Sequence, residues 1–337
     1  MDAMTKKLHL HIESLSSKSP HMFLTPEVWA KASAGHPALA AQLDVTTGWD
    51  GKDFGQHMKT ADILFASDFP RENLAEVAPN LKWINVPAAG TENFMPFNWL
   101  PEGIAFTNNS GNHHQRAIEF GGMALMALHN RLPEVVTNQR NRNWNRVFST
   151  TAAGKVVLVL GFGSLGSGVG KAAKMFGMHV IAVTRSGRPN DVADEMYTTA
   201  ELREHLPRAD FLVIASPVTP ETRGLIGAAE LDLMKKGAGV VNIGREPVMD
   251  YAALRQRLES GHIGGAILDV FDPEPLAEES PLWTTPNLII TPHNSTDDVE
   301  QYIPRTFEMF FANLARFIEG KPLENLVDRE LGYWVKK

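Results

Sequence analysis

Apolar and polar positions alternate along this chain in two distinct registers. From residue 156 on, short runs with no polar break recur. Val156–Leu160 is five apolar residues, three of them β-branched, as expected of a strand buried on both faces. Similar runs at 179–184, 211–215, 239–243, 265–268 and 287–291 predict five more strands. Helix-prone stretches separate them, notably 167–178, 228–236 and 251–260, the last stopped by Gly261. Six strands alternating with helices predict a doubly wound parallel sheet.

The first hundred residues show a mixed pattern. Leu8, Leu10 and Ile12 alternate with His9, His11 and Glu13, the period of a half-buried strand with a solvated polar face. Runs at 61–67, 81–86 and 104–108 predict further strands, with a helix near 71–77, so this part also reads as parallel α/β. Residues 115–132 predict one long helix closed by Pro133, and 138–148 a polar connection. There Arg140, Arg142 and Arg146 face solvent or another subunit. A last helix over 298–319 returns to pack on the first domain.

Composition narrows the classes. A chain of 337 residues accommodates two domains, and 43% hydrophobic with 21% charged residues is ordinary for a soluble globular protein. A net charge of −7 without a basic run argues against nucleic acid as a partner. Without cysteine, disulfides, thiolate metal sites and a cysteine nucleophile are excluded. That composition fits a reducing cytoplasm. His9 and His11 have an i, i+2 spacing open to metal, but a solvated face is the plainer reading, and no metal is expected. No apolar run approaches ~18 residues and Met1–Lys7 lacks a signal core, so neither a membrane span nor export is expected.

The strand 156–160 runs into Gly161-Phe162-Gly163-Ser164-Leu165-Gly166 and then a helix. In that setting Gly161 permits the tight turn and Gly163 lets a pyrophosphate approach the backbone. Gly166 lets helix and strand pack closely, and the helix N-terminus offers free N–H groups to the anion. Which dinucleotide depends on the end of the next strand. NAD enzymes place an acid there for the ribose hydroxyl. Here Arg185-Ser186-Gly187-Arg188 follows instead, with Asp191 and Asp194 beyond Pro189. Two guanidinium groups and a hydroxyl suit a 2′-phosphate, so NADPH is expected over NADH. An ordinary basic loop is the alternative.

Arg245, Glu274 and His293 follow the fourth, fifth and sixth strands of this series, at the carboxyl ends where such a sheet opens its ligand crevice. Singly each is weak: a strand-end histidine is commonly a capping residue, and a loop Arg or Glu is commonly surface charge. Together they supply what reduction of a 2-oxo acid needs from a protein. Arginine offers a planar fork for a carboxylate, histidine a proton for the carbonyl oxygen, and glutamate a partner that orients the imidazolium.

With these residues in place, the chain resembles the D-isomer-specific 2-hydroxyacid dehydrogenases. The resemblance rests on Gly161–Gly166, Ser216-Pro-Val-Thr-Pro220, Val241-Asn-Ile-Gly-Arg245, Gly264 through Pro275, and Ser280 through His293. It is sparser at Ala88–Asn93 and Thr107–Gly111. It implies a Rossmann-type dinucleotide domain over 112–298 and a smaller flavodoxin-like α/β substrate domain from 1–111 and 299–337. The active site would lie in the cleft between them. It further implies that Arg245 binds the substrate carboxylate, with backbone N–H groups at Ala89 and Gly90, and that Glu274 pairs with His293, which moves the proton. Ser216, Pro217, Thr222, Ile243, Gly244 and Asp269 would join the glycine turn and Arg185, Ser186 and Arg188 around NADP or NAD. Homodimers are usual.

The resemblance points to reduction of small 2-oxo acids, glyoxylate and hydroxypyruvate first, to D-2-hydroxy acids. A bulkier 2-oxo acid remains open, with Trp144, Phe94 and Met95 as candidate pocket residues. So does a non-catalytic, dinucleotide-sensing corepressor-like protein of the same fold. Formate oxidation is disfavoured because Glu274 stands where glutamine is expected, and phosphoglycerate oxidation because no regulatory domain follows residue 337. Glu246 replaces the usual glycine after the arginine, where it would alter the turn or compete for Arg245. Asn294 replaces a small apolar residue. Asn112, His113 and His114 either contact substrate or form a polar helix start.

Overall fold

A computed structural model describes residues 6–17 and 22–334, so Met1–Thr5 of the N-terminal stretch lie outside the described residues. Its contacts divide the chain into Met1–Asn112 with Asp298–Lys337, and His113–Asp297.

The first unit runs β1 (Leu8–Ser14), α1 (Pro26–Ala34), α2 (Pro37–Ala40), β2 (Leu43–Trp49), α3 (Phe54–Met58), β3 (Ile63–Ala66), α4 (Leu74–Val77), β4 (Trp83–Asn85) and β5 (Ala105–Thr107). All five strands are parallel in the order β2-β1-β3-β4-β5, the flavodoxin-like arrangement.

Two expectations fail here for one reason. β2, with polar Asp44, Thr46 and Thr47, has no apolar run and is not predicted, yet it pairs along all of β1. β1 is therefore internal, and the face expected to be solvated is closed. His11 and Glu13 are 0% exposed. His11 Nε2–H donates to Glu13 Oε2 at 2.9 Å, and its Nδ1 shares a hydrogen bond with Thr46 Oγ1 at 2.8 Å. Phe54 and His57 of α3 pack on its ring, 6.0 and 4.8 Å between centroids.

The second unit runs α5 (His114–His129), α6 (Leu132–Arg140), β6 (Val156–Leu160), α7 (Ser164–Met175), β7 (His179–Thr184), β8 (Glu195–Thr198), α8 (Leu202–His205), β9 (Phe211–Ile214), α9 (Ala228–Leu233), β10 (Ala238–Asn242), α10 (Tyr251–Glu259), β11 (Ile263–Leu268) and β12 (Leu288–Ile290). The sheet order β12-β11-β10-β9-β6-β7-β8 is the doubly wound Rossmann order with a seventh strand. The seventh strand of that order is β12; β8, at the other edge, is an unpredicted strand of half-buried residues. In β6, Val157 and Val159 join one core layer while Leu158 and Leu160 join the other, so helices cover both faces.

Pro133 does not close a helix. α5 ends at His129, Arg131 takes a left-handed backbone (φ 56°), and Pro133 sits in the first turn of α6, where its missing N–H costs nothing. Residues 143–150 then carry no regular structure and expose Trp144 (95%) and Phe148 (70%).

The chain returns to the first unit through α11 (Tyr302–Ile318). Ile303, Phe307, Phe310, Phe311 and Leu314 recur at helical spacing and bury one stripe against Leu10, Ile12, Ile63, Phe65 and Trp83. Phe310 stacks on both Trp83 and Phe65 at 5.1 Å.

Among the described residues no helix is long and apolar enough to cross a membrane, and no cluster of His, Asp and Glu is arranged to hold a metal.

Candidate active site

β6 delivers the chain into the glycine turn. Gly161 has φ +86°, and a Cβ there would lie 2.6 Å from Ser216 N. A Cβ on Gly166 would run into the Gly161 carbonyl, whereas one on Gly163 would project into open space. The turn is thus packed from below and open above, where the unpaired N–H groups of the first turn of α7 point. Two buried hydroxyls flank it, Ser164 Oγ and Ser216 Oγ, and neither has a hydrogen-bond partner. Orphaned donors beside an open helix N-terminus fit a pyrophosphate, so the turn suits a dinucleotide.

Phe162, Leu165 and Ile243 contribute differently from expectation. The side chains of Phe162 and Ile243 are buried in the core layer beneath the turn, and that of Leu165 is half-buried against it. Thr222 is also redirected. Its hydroxyl donates to Pro217 O at 2.7 Å and accepts from Thr219 N at 2.7 Å, pinning the loop after β9. Gly244 is needed for close packing, since its Cβ would lie 2.7 Å from Ser216 O.

After β7, Arg185, Ser186 and Arg188 are exposed on a turn whose Gly187 has φ +60°. Asp194 points elsewhere: it pairs with Lys174 and accepts from Val180 N.

Parallel pairing of Asn242 with Leu268, and of Leu268 with Ile290, sets the ends of β10, β11 and β12 side by side. Arg245, the 269–275 loop and His293 leave from those three ends. His293 Nδ1–H donates to Glu274 Oε2 at 2.8 Å, and both side chains are partly exposed (46% and 36%). Glu274 Oε1 accepts from Phe271 N at 2.9 Å. With Nδ1 held, Nε2 remains to meet a ligand.

His293 has a left-handed backbone, φ 48°, a conformation that a non-glycine residue holds only when its surroundings impose it. Asp269 imposes it. Its 1% exposed carboxylate accepts from Asn294 N and Ser295 N at 3.1 Å, from Thr291 Oγ1 at 2.6 Å and from Ser295 Oγ at 2.5 Å. These contacts bracket His293 on both sides. Burial pushes the Asp269 carboxyl up, and hydrogen bonds from Ser295 and Thr291 oppose that. Both oxygens are occupied by the loop, so Asp269 positions the histidine rather than offering a free ligand to a cofactor.

Pattern reading did not single out Asn242 and Tyr251. Asn242, fully buried, accepts from Gly244 N at 3.0 Å and donates to Arg245 O at 3.1 Å and to Tyr251 Oη at 3.0 Å. Tyr251 in turn donates to Val270 O at 2.9 Å, and burial pushes its phenol well above the ordinary range. One buried amide therefore ties the Arg245 turn to the loop of Glu274. A lone strand-end Asn carries no signal of this in sequence.

The hinge residues are tethers. Asn112 donates to Tyr302 O and Thr306 Oγ1, His113 bonds Thr296 O, and His114 bonds Ser164 O. In the first unit, Ala89 and Gly90 lie on the half-buried loop after β4, where Asn108 donates to Ala89 O at 2.7 Å. Phe94 (4% exposed) belongs to that unit's core, while Met95 is 39% exposed and Trp144 almost fully exposed.

Comparison with known proteins places the chain in a family. Residues 122–295 match the family model for the D-isomer specific 2-hydroxyacid dehydrogenase, NAD binding domain. The chain is 33% identical to a glyoxylate reductase of Aeropyrum pernix, over 93% of this chain and 97% of that protein. A D-isomer specific 2-hydroxyacid dehydrogenase of Xanthobacter autotrophicus, solved in complex with NADPH and MES, superposes with TM-score 0.82 at 29% identity, covering 98% of this chain and all of that one. An NADPH-dependent glyoxylate/hydroxypyruvate reductase of Sinorhizobium meliloti, solved with NADP and sulfate, gives TM-score 0.78 at 27% identity, covering 96% and 100%.

Proposed function

The chain belongs to the D-isomer specific 2-hydroxyacid dehydrogenases, a family of NAD(P)-dependent oxidoreductases, and from that premise we propose that it reduces small 2-oxo acids, glyoxylate and hydroxypyruvate foremost, to D-2-hydroxy acids with NADPH preferred. The observation that carries this is the 2.8 Å Glu274–His293 pair on the strand end next to that of Arg245.

The nicotinamide dinucleotide, when bound, supplies the hydride. The protein does the rest. Arg245 holds the substrate carboxylate through its planar fork and draws the adjacent carbonyl toward it. His293 gives the proton on Nε2 to the carbonyl oxygen, while Glu274 on Nδ1 keeps the ring oriented and stabilises its charged form. A sensor of the dinucleotide has no use for this pair, which weighs against the corepressor-like alternative. A panel of 2-oxo acids, assayed with NADPH and NADH in parallel, tests the proposal. Turnover of glyoxylate or hydroxypyruvate is expected, and no turnover across the panel sinks it.

The exposed Arg185 and Arg188, with no acid at the end of β7, support NADPH. A charge-assisted hydrogen bond is worth about 1.5–3 kcal/mol, so Arg185→Asp should lower the NADPH/NADH ratio of kcat/KM by ~10–100-fold. An unchanged ratio would remove the argument for a 2′-phosphate site.

A homodimer is also part of the proposal. Trp144 and Phe148 are large apolar side chains held out on the segment after α6, with Arg146 over the Phe148 ring at 5.1 Å. Exposed apolar surface of this kind marks a contact site. Light scattering should give twice the chain mass. The lack of cysteine suits a reducing cytoplasm.

A further inference from the structure

Glu246 stands directly after Arg245, where the family resemblance leads one to expect glycine. The Arg245 guanidinium donates to Gly244 O at 2.7 Å. The Glu246 carboxylate reaches the next strand's loop, where its Oε2 accepts from Asp272 N at 2.5 Å. Pro247 follows it and stiffens that exit from β10.

The loop it reaches has few backbone donors. Pro273 and Pro275 have no N–H, which leaves those of Phe271, Asp272 and Glu274. Two carboxylates hold two successive amides of this turn: Glu274 Oε1 takes Phe271 N at 2.9 Å, and Glu246 takes Asp272 N. The second oxygen of Glu274 is the one that meets His293. A continuous path therefore runs from the Arg245 turn through Glu246, Asp272 and Glu274 to the imidazole.

Burial pushes the Glu246 carboxyl up; the Asp272 N–H opposes this, and the charges of Asp272 and Glu274 add to it. Tyr251 on α10 also feels the Glu246 charge, and Asp269 faces His293 from β11. Four carboxylates crowd this end of the sheet, Glu246, Asp269, Asp272 and Glu274, and the backbone N–H that Glu246 accepts keeps the loop from relaxing apart.

We propose that Glu246 is a positioning residue for proton transfer: it clamps the Asp272–Glu274 turn so that Glu274 stays on His293, and it does so from the segment that carries the substrate-binding arginine. This rests on the reading of His293 as proton donor. It makes a residue foreign to the usual pattern a determinant of kcat rather than of substrate affinity.

The test compares Glu246→Ala and Glu246→Gln with the parent enzyme. A hydrogen bond to a charged group contributes about 1.5–3 kcal/mol, so Glu246→Ala should lower kcat for glyoxylate by ~10-fold or more, with KM within about twofold. Glu246→Gln keeps an acceptor for Asp272 N–H and should recover most of the loss. The Nδ1–H proton of His293, held by Glu274 at 2.8 Å, should exchange faster with water in the NMR spectrum of Glu246→Ala. Retained NADPH binding establishes that the alanine variant is folded; if it is not, Glu246→Asp, whose shorter arm cannot reach the amide, replaces it. Change in kcat under twofold with unchanged exchange of the His293 ring proton overturns the proposal, as does a loss confined to KM. Should the parent reduce no 2-oxo acid, the functional reading fails, while the exchange of the His293 ring proton, which needs no substrate, still decides whether Glu246 positions the pair.

Discussion

Replacing His293 by alanine is expected to lower kcat for 2-oxo acid reduction by ~10²–10⁴-fold, the range that a positioned general acid contributes. The loss follows from how the ring is held. Nδ1 is engaged by Glu274 at 2.8 Å, and the backbone is kept at φ 48° by the Asp269 contacts to the next two residues, so no neighbouring group can take over the vacated place. The side chain is 46% exposed and carries no packing load, so the fold should survive. NADPH affinity, read by the fluorescence of the bound reductant, should stay within about twofold, because the glycine turn leaves β6 and the histidine leaves β12, at the far side of β9, β10 and β11. Turnover within tenfold of the parent would show that the proton comes from elsewhere. Lost NADPH binding would mean that the variant reports structure rather than chemistry.

Glu13→Ala should cost about 1–3 kcal/mol of stability, the range for leaving buried hydrogen-bonding groups unsatisfied. Both Glu13 and His11 are 0% exposed. Removing the carboxylate leaves His11 Nε2 without its acceptor and frees Gly51 N, which donates to Glu13 Oε1 at 2.8 Å. Phe54 and His57 of α3 pack on the His11 ring over this site. Urea unfolding followed by tryptophan fluorescence, which reports Trp83 in the same sheet, should show the transition shifted to lower urea. An unmoved midpoint would mean that the pair is solvated after all, as strand alternation alone suggests.

These two sites were legible to different degrees. The strands from Val156 onward announce themselves because a strand buried on both faces must be apolar throughout, and that needs no knowledge of its neighbours. The glycine turn reads equally well: Gly161 takes a left-handed turn, φ +86°, and Gly166 packs on the carbonyl of Gly161 a few residues back. Arg245, Glu274 and His293 could be placed at strand ends because strand ends are local features. The pairing partners were not legible. Asn242 and Tyr251 look like any buried polar residues until β10, α10 and β11 are packed, and Thr222, Phe162 and Leu165 turn inward for reasons of packing. β2 and β8, edge strands with polar residues, carry no apolar run to find.

By itself the amino-acid sequence determined the doubly wound nucleotide fold, the phosphate-binding turn and the identity of the groups brought to the carboxyl ends of the strands. All of these follow from periodicity and from contacts short in sequence. The tertiary structure decided which polar side chains are buried and what each one holds. His11 and Glu13 change from a solvated face to a sealed pair because β2 and α3 close over them, and Glu246 becomes a clamp because β10 and β11 lie side by side. A side chain's hydrogen-bond partner is set by distance in space, and in both cases the deciding residues lie more than twenty positions away along the chain.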